Sequence, residues 1–311
     1  MKLVVLIPAY NEEESIEKTI LGIPRKIFGV DKVEVLVVND GSTDRTVEFA
    51  MNAGADKIVS HKRNMGVGAA FMTGIRTAIT LNPDILVTID ADLQHDSQAI
   101  PELVEPIFNK QFDVTIGARF VSGTTIDYPK LKVIGNKIFT RLVSWAAGQR
   151  FADTQTGFRA YSKEAIRNIS VVNDFTYTQE VLMDLKFKGF RIGDIPIEVK
   201  FHRKKSKVVK SIFRYTCRVL SIIAKTLVYN RPNFTFGIIS GILIGGGILA
   251  KLLTISNIFI VNSTLSSGLI ILGAVSVMMG VFASVVFRRQ SFAERDIRDR
   301  IDQSDFYERS Q

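Results

Sequence analysis

Short apolar runs alternate with helix-periodic stretches from residue 1 to about 200. The runs are Leu3–Ile7 (LVVLI), Val33–Val38 (VEVLVV), Lys57–Val59, Ile85–Ile89 (ILVTI) and Val114–Ile116. Most are apolar at nearly every position, which predicts strands of a parallel sheet covered on both faces. Helical patterns start near Glu14, Asp44, Gly66 and Ser97. The alternation predicts an α/β domain of Rossmann-like, mostly parallel, doubly wound type. Ligands of such sheets bind beyond the carboxyl ends of the strands, so the residues after each run are the candidates for chemistry.

The pattern then changes. Phe234–Ile255 and Ser266–Phe287 are apolar around their whole circumference, with one charge, Lys251, in the first and none in the second. Each approaches the roughly 20 residues that cross a hydrocarbon core. A buried soluble helix of that length would still show a polar stripe. Two transmembrane helices are therefore expected, with Lys251 snorkelling to the interface and Gly241, Gly245, Gly246 and Gly247 permitting close helix approach. Arg231 precedes the first span, Arg288 and Arg289 follow the second, and the connector Ser256–Leu265 has no Lys or Arg. The positive-inside rule predicts both termini and the large domain in the cytoplasm. The opening MKLVVLIPAYNEEES, a short apolar run followed at once by acids, is not read as a signal peptide.

Composition sharpens this only through its distribution. The 311 residues carry 40 Lys+Arg and 31 Asp+Glu, a net charge of +9. Ten cations and no acid lie between Val199 and Arg231, so the rest of the chain is close to neutral. Lys210, Arg214, Arg218 and Lys225 share one helical face, and Phe213, Val219, Leu220, Ile223 and Leu227 lie broadly opposite. That predicts an amphipathic helix in the headgroup region, the alternative being a helix packed on the soluble domain. The cations flank a span and lack interleaved aromatics, so nucleic acid is not the expected partner. One cysteine and three histidines exclude a disulfide framework or a Cys-rich zinc site. The predicted organisation is 1–207 catalytic domain, 208–232 interfacial segment, 233–289 two transmembrane helices and 290–311 a charged tail. That tail reads as a cytoplasmic helix or an oligomer contact.

Polar motifs follow the strands: Pro8-Ala9-Tyr10-Asn11-Glu12, Asn39-Asp40-Gly41-Ser42-Thr43-Asp44, Asp90-Ala91-Asp92-Leu93-Gln94-His95, and Gly117-Ala118-Arg119. Asp90 and Asp92 at one strand end suit a hard divalent cation, although Asp-x-Asp alone also describes a turn with a helix cap. No G-x-G-x-x-G opens the first helix and no Walker motif occurs, which removes the main support for a dinucleotide or P-loop enzyme. The glycines of Asn64–Ala70 either bring a helix N-terminus to a ligand or allow tight helix–sheet packing.

PAYNE, VVNDGSTDRT, TIDADLQHD and IGARF, in this order, resemble family 2 glycosyltransferases of the GT-A fold. DTQTGFRAYSKEA, the glutamate of YTQE and FHRKKSK resemble the polyprenyl-phosphate sugar synthases, the group of the dolichyl-phosphate mannose synthases. The resemblance covers about residues 1–210. It implies inverting transfer of one hexose from a nucleoside diphosphate sugar to a polyprenyl or dolichyl phosphate at the cytoplasmic face. By position, Pro8, Tyr10, Glu12, Val38 and Asp40, with Asp90 and Ala91, would hold the nucleotide sugar. Asp90, Asp92 and Gln94 would hold Mg²⁺ or Mn²⁺. Arg119 and Lys132 would contact the acceptor phosphate, and Arg203, with Ser206 and Lys207, would close over the donor diphosphate. Two departures stand out: Asn39 replaces a frequent Asp, and Lys132 (or Lys130) replaces an expected Arg, losing bidentate phosphate geometry.

The chemistry is consistent with that resemblance. A metal on the diphosphate is a Lewis acid for the leaving group, and a phosphate monoester is largely dianionic near neutrality, so no strong general base is needed. Asp153 is read either as orienting the sugar or assisting a proton, or as stabilising its own loop. His95 is read as structural rather than as a base, and Glu180 as either functional or solvated. The sugar stays open between mannose, glucose and N-acetylglucosamine. Two alternatives are a processive synthase, which lacks its Gln-x-x-Arg-Trp motif here, and an inactive membrane scaffold, which would have no need of the intact Asp90–Asp92–Gln94 set.

Overall fold

The computed structural model describes residues 1–119, 130–169, 177–198, 212–256 and 263–309, with 130–132, 212–219, 288 and 290–309 as backbone only. The chain forms two compact units, residues 1–223 and 224–311.

In the first unit β1 (Lys2–Ala9), α1 (Ile16–Leu21), β2 (Lys32–Asn39), α2 (Thr46–Asn52), β3 (Lys57–Ser60), α3 (Val67–Leu81) and β4 (Ile85–Thr88) follow one another as the pattern predicts. A 3₁₀ turn at Ser97–Ala99 leads into α4 (Ile100–Phe108), and β5 (Val114–Ala118) follows. Then come α5 (Lys130–Ala147), β6 (Arg159–Ser162), α6 (Lys163–Asn168), α7 (Thr178–Phe187) and β7 (Ile192–Pro196). One seven-stranded sheet results, in the order β3-β2-β1-β4-β6-β5-β7. All pairs are parallel except those of β6, which runs antiparallel to both β4 and β5. Val4, Val5, Leu6 and Ile7 of β1 and Val35–Val38 of β2 are wholly buried, as a sheet covered on both faces requires. β6 and β7 carry too little apolar pattern to be predicted: RAYS contains a charge, and IGDIP is an edge strand with Gly and Pro.

Two glycines fix how the β2 and β3 loops meet. Gly41 (φ +72°) lies so close to the next loop that a β-carbon would fall 2.4 Å from the Arg63 carbonyl carbon. Gly66 (φ 96°) turns the chain into α3. Both lie in the region that L side chains avoid.

Helix α8 (Ile212–Asn230) crosses from the first unit into the second; Ile222, Ile223 and Leu227 are buried and Lys225 is exposed. In the second unit α9 (Pro232–Ile255) and α10 (Ser263–Arg309) follow, and Ser263–Phe287 is the apolar part of α10. Both stretches are long and apolar enough to cross a membrane. Only 11% and 17% of their most apolar windows are buried, unlike a soluble core. Their contact uses fewer of the α9 glycines than the sequence suggests. Gly247 packs against Ser266 and Ile270, while Gly241, Gly245 and Gly246 meet no described atom within 4 Å. From α10, Gly273 meets Ser240 and Ile244, Gly280 meets Phe236, and the Ser276 hydroxyl donates to the Phe236 carbonyl at 3.2 Å. Small residues on both helices thus bring the backbones together.

Gly41→Ala should destabilise the full-length protein by about 2 kcal/mol or more, because it adds left-handed strain to a clash with fixed backbone. Thermal unfolding in detergent would show a lowered midpoint; an unchanged midpoint would contradict this loop packing.

Candidate active site

The loops after β1 and β2 lock together through short polar side chains. The Asn11 amide donates to Ser42 Oγ (3.0 Å), the Thr43 amide donates to Asn11 Oδ1 (2.8 Å), and the Glu12 amide donates to Thr46 Oγ1 (2.8 Å). Glu12 accepts from Ser15 Oγ at 3.0 Å. Asn39 accepts from the Ser42 amide (2.9 Å) and donates to Ser60 Oγ (3.2 Å).

Asp40 is buried and heavily engaged. Its oxygens accept from the Met65 and Gly66 amides (2.9 and 2.8 Å), and Oδ1 lies 2.7 Å from His61 Nδ1. His61 Nε2 is in turn 2.9 Å from Thr73 Oγ1. The amides at the start of the glycine-rich helix α3 therefore face Asp40. His61, a histidine the sequence reading did not assign, completes the clamp. Tyr10 is exposed and Pro8 half-buried, whereas Val38 is wholly buried, backbone included.

Asp90 and Asp92 follow β4. The Gln94 side-chain amide donates to Asp92 Oδ2 (2.9 Å) and its backbone amide to Oδ1 (3.2 Å). In this arrangement the Gln94 side-chain nitrogen braces Asp92, and its side-chain oxygen is the atom that the expected ion ligation would use. Leu93 between them has φ 59°, an unusual and strained value for a leucine. The Ala91 carbonyl accepts from Thr19 Oγ1 at 3.1 Å, tying the turn to α1. Gly157 makes room for Asp90: a β-carbon there would lie 2.8 Å from both carboxylate oxygens and 3.0 Å from the Tyr177 hydroxyl. Tyr177 is itself buried and stacked on Phe71, with ring centroids 3.8 Å apart. Burial and the neighbouring Asp92 push the Asp90 carboxyl up to about 7, against the pull of Arg119 and Arg159. Two carboxylates short of positive charge are what a divalent cation would relieve. Among the described residues no third His, Cys or carboxylate joins them. That suits an ion held by one or two carboxylates plus substrate phosphates and water.

Arg119, just after β5, grips Asp153 through Nε at 2.6 Å and Nη2 at 3.2 Å. Asp153 is wholly buried and also accepts from the Gln155 amide (3.0 Å) and Asn136 Nδ2 (3.2 Å). Burial works to raise its pKa, yet the Arg119 charge and these hydrogen bonds hold it below the usual carboxylate range. With about four acceptor sites so engaged, Asp153 is built to position Arg119, and it has little capacity left to take a proton. Asn136 comes from α5, where Thr140 supports it through its hydroxyl (2.9 Å). His95 is buried, with Nε2 3.2 Å from Thr156 Oγ1 and its ring against Phe158. Burial, then Arg119, lowers its pKa to about 3, so it stays neutral in a structural setting. Glu180 is buried in α7, which removes the solvated alternative.

Arg159 on β6 is wholly buried and donates to the carbonyls of Thr178 (2.6 Å) and Thr154 (3.0 Å). It ties the Asp153 loop to the start of α7 and sends positive potential to Asp90. No periodicity marks it, because a lone Arg in a strand of four residues looks solvent-exposed. Asn136 and Thr140 had a readable signal, being polar residues four apart on the inward face of a helix. The side chain of Lys132, like Arg203, Ser206 and Lys207, lies outside the described residues.

Residues 4–170 match the family profile Glycosyl transferase family 2. The chain is 30% identical over 261 residues to the dolichol-phosphate mannosyltransferase of Pyrococcus furiosus, covering 80% of this chain and 72% of that protein. It is 29% identical to the UDP-N-acetylglucosamine–dolichyl-phosphate N-acetylglucosaminyltransferase of Methanococcus voltae, covering 62% and 84%. In fold it resembles the glucosyl-3-phosphoglycerate synthase of Mycobacterium tuberculosis, solved with Mn²⁺, uridine diphosphate and phosphoglyceric acid. There the TM-score is 0.57 at 22% identity, over 74% of this chain and 78% of that one.

Two outcomes follow from the charges. Asp90 is raised from 3.8 to about 7, so in metal-free protein its contribution is fully present below the unfolded value and lost as pH rises through about 7. Mn²⁺ should therefore raise the melting temperature more at alkaline than at mildly acidic pH, and equal shifts would contradict the site. Asp153 is depressed, so its contribution is present above 3.8 and lost as pH falls below it. Asp153→Asn strands the Arg119 charge, which should cost about 3–5 kcal/mol near neutrality. A melt across pH should show the deficit shrinking in acid.

Proposed function

The chain belongs to glycosyl transferase family 2 and is a glycosyltransferase; from that premise we propose that it transfers a single hexose, with inversion, from a nucleoside diphosphate sugar to a polyprenyl phosphate of the dolichyl type. The observation that carries this reading is the placement of Arg119, fixed by Asp153, within electrostatic reach of the Asp90–Asp92 pair at one edge of the sheet. A cation for one phosphate thus adjoins a carboxylate pair suited to the metal of another. The relatives' names support a lipid-phosphate acceptor, and the two apolar helices would keep the enzyme where such a lipid resides.

In this reading Asp90, Asp92 and Gln94 would hold Mg²⁺ or Mn²⁺, Gln94 also bracing Asp92. When bound, the ion supplies Lewis-acid stabilisation of the departing diphosphate. Pro8, Tyr10 and Glu12 line the nucleoside side, with Val38 and Ala91 at the strand ends beside them. Asp40 shapes that side by fixing the glycine loop. Arg119, with Lys132, draws in the acceptor phosphate, which is largely dianionic near neutral pH and is itself the nucleophile. That leaves no step for a protein base, in keeping with the ionised, fully hydrogen-bonded Asp153 and the neutral His95. Arg203 would close over the donor diphosphate. Fixed positive charge at the meeting point of two phosphates is the main catalytic contribution of the side chains.

Arg231, Arg288 and Arg289 flank the apolar helices, which favours a cytoplasmic catalytic unit and cytoplasmic termini. The donor is most simply GDP-mannose, as in dolichyl-phosphate mannose synthases. The Methanococcus voltae relative is the observation that keeps UDP-N-acetylglucosamine as the second reading.

Full-length protein supplied with Mn²⁺, dolichyl phosphate and GDP-mannose, UDP-glucose or UDP-N-acetylglucosamine in turn should form a lipid-linked sugar with one donor. Asp92→Ala should abolish it, and Arg119→Lys should lower turnover on the order of 100-fold by misplacing the acceptor phosphate. No lipid product with any donor, or an unaffected Asp92→Ala variant, would sink the proposal.

A further inference from the structure

Strand register brings a histidine beside Asp40. β2 and β3 pair Asn39 with Ser60, and the His61 amide continues the ladder by donating to the Asn39 carbonyl at 2.9 Å. The next residues on the two strands are Asp40 and His61, whose side chains are 4% and 10% exposed.

Asp40 supplies what the start of α3 lacks. Gly66 stands at the N-cap and has no side chain to offer. The Met65 and Gly66 amides donate to Asp40 from the neighbouring strand, at 2.9 Å to Oδ1 and 2.8 Å to Oδ2, and negative charge is favoured at that end of a helix. With both oxygens already accepting, the 2.7 Å contact of His61 Nδ1 with Oδ1 requires the proton on Nδ1. In the uncharged ring Nε2 is then bare and accepts from the Thr73 hydroxyl, 2.9 Å away on α3 itself. The end of β2, the end of β3 and the helix thus close into one ring of hydrogen bonds. The imidazole is the member that could be assembled wrongly: with its proton on Nε2, it would turn a lone pair toward Oδ1.

We propose that His61 is a positioning residue for nucleotide binding. It holds the Asp40 carboxylate, and through it the Met65–Gly66 entry to α3, with Thr73 fixing which ring nitrogen carries the proton. The sheet order sets β2 between β1 and β3, so this entry and the loop bearing the exposed Tyr10 flank Asp40 on its two sides. The proposal rests on the transferase reading, in which these loops form the nucleoside side. A latch serving stability alone would place no value on the nucleotide side of the ring over the helix side.

In full-length protein labelled with ¹⁵N-histidine, the His61 imidazole, assigned by its loss in His61→Asn, should carry its proton on Nδ1. A proton on Nε2 alone would overturn the proposal. Calorimetry with UDP and with GDP in the presence of Mn²⁺ then compares two variants. Asparagine sets its amide near the place of Nδ1, and glutamine near that of Nε2. His61→Asn should retain most of the wild-type affinity, whereas His61→Gln should lose about tenfold. Donor KM should rise in step with that loss while kcat holds. Equal affinities in the two variants, or a fall in kcat with KM unchanged, would overturn the proposal. Should both histidine variants fail to fold, Thr73→Val keeps the shape of the helix residue and frees the ring to exchange its proton. It should give a smaller loss of affinity, and wild-type affinity there would count against the proposal. Nucleotide binding with this dependence on His61 but no sugar transfer would defeat the transferase reading alone. Transfer by variants indifferent to the change would defeat the positioning role alone, and wild-type protein that binds neither nucleotide would overturn both.

Discussion

Asp153 has no solvent-exposed surface, yet its carboxylate stays ionised because Arg119 takes both oxygens while Gln155 and Asn136 add two more hydrogen bonds. An ion pair this deep is costly to form and far costlier to leave half-made. Its members come from the end of β5, the loop before β6 and the inner face of α5. Each must be in register for the pair to close. The sheet edge, the loop and the helix are thereby held to one geometry by a requirement stricter than apolar packing.

The carboxylate pair across the site obeys the opposite balance. Asp90 and Asp92 share too little positive charge, and Gly157, Tyr177 and the strained turn at Leu93 leave them little room to move apart. One half of the site is electrostatically complete and the other is left wanting a cation. A metal carried in on a diphosphate is the kind of ligand that supplies it. The buried Arg159 lies behind them, supplying potential from the sheet itself while its donors secure the surrounding backbone.

Much of this was legible in the chain. Buried parallel strands announce themselves by continuous apolar runs, and the edge where ligands bind follows from topology, so Asp90, Asp92, Arg119 and Asp40 could be singled out by position alone. What each side chain touches could not be read. Asp40 faces backbone amides and His61, Gln94 turns to Asp92, and Asp153 is spent on Arg119; these depend on contacts between residues far apart in sequence. β6 escaped for a related reason. Its four residues carry a charge that only carbonyl groups from two other segments make tolerable in the interior.

The positive φ at Leu93 bears on attempts to make the protein hardier. A leucine held in the left-handed region stores about 1–2 kcal/mol that glycine or asparagine would release. A stability screen would favour such a replacement, since the strain is removed without disturbing the core. The same relaxation would free the turn that aims Asp92, with its Gln94 brace, at the sheet edge. Robustness and the aim of Asp92 are therefore set against each other at Leu93.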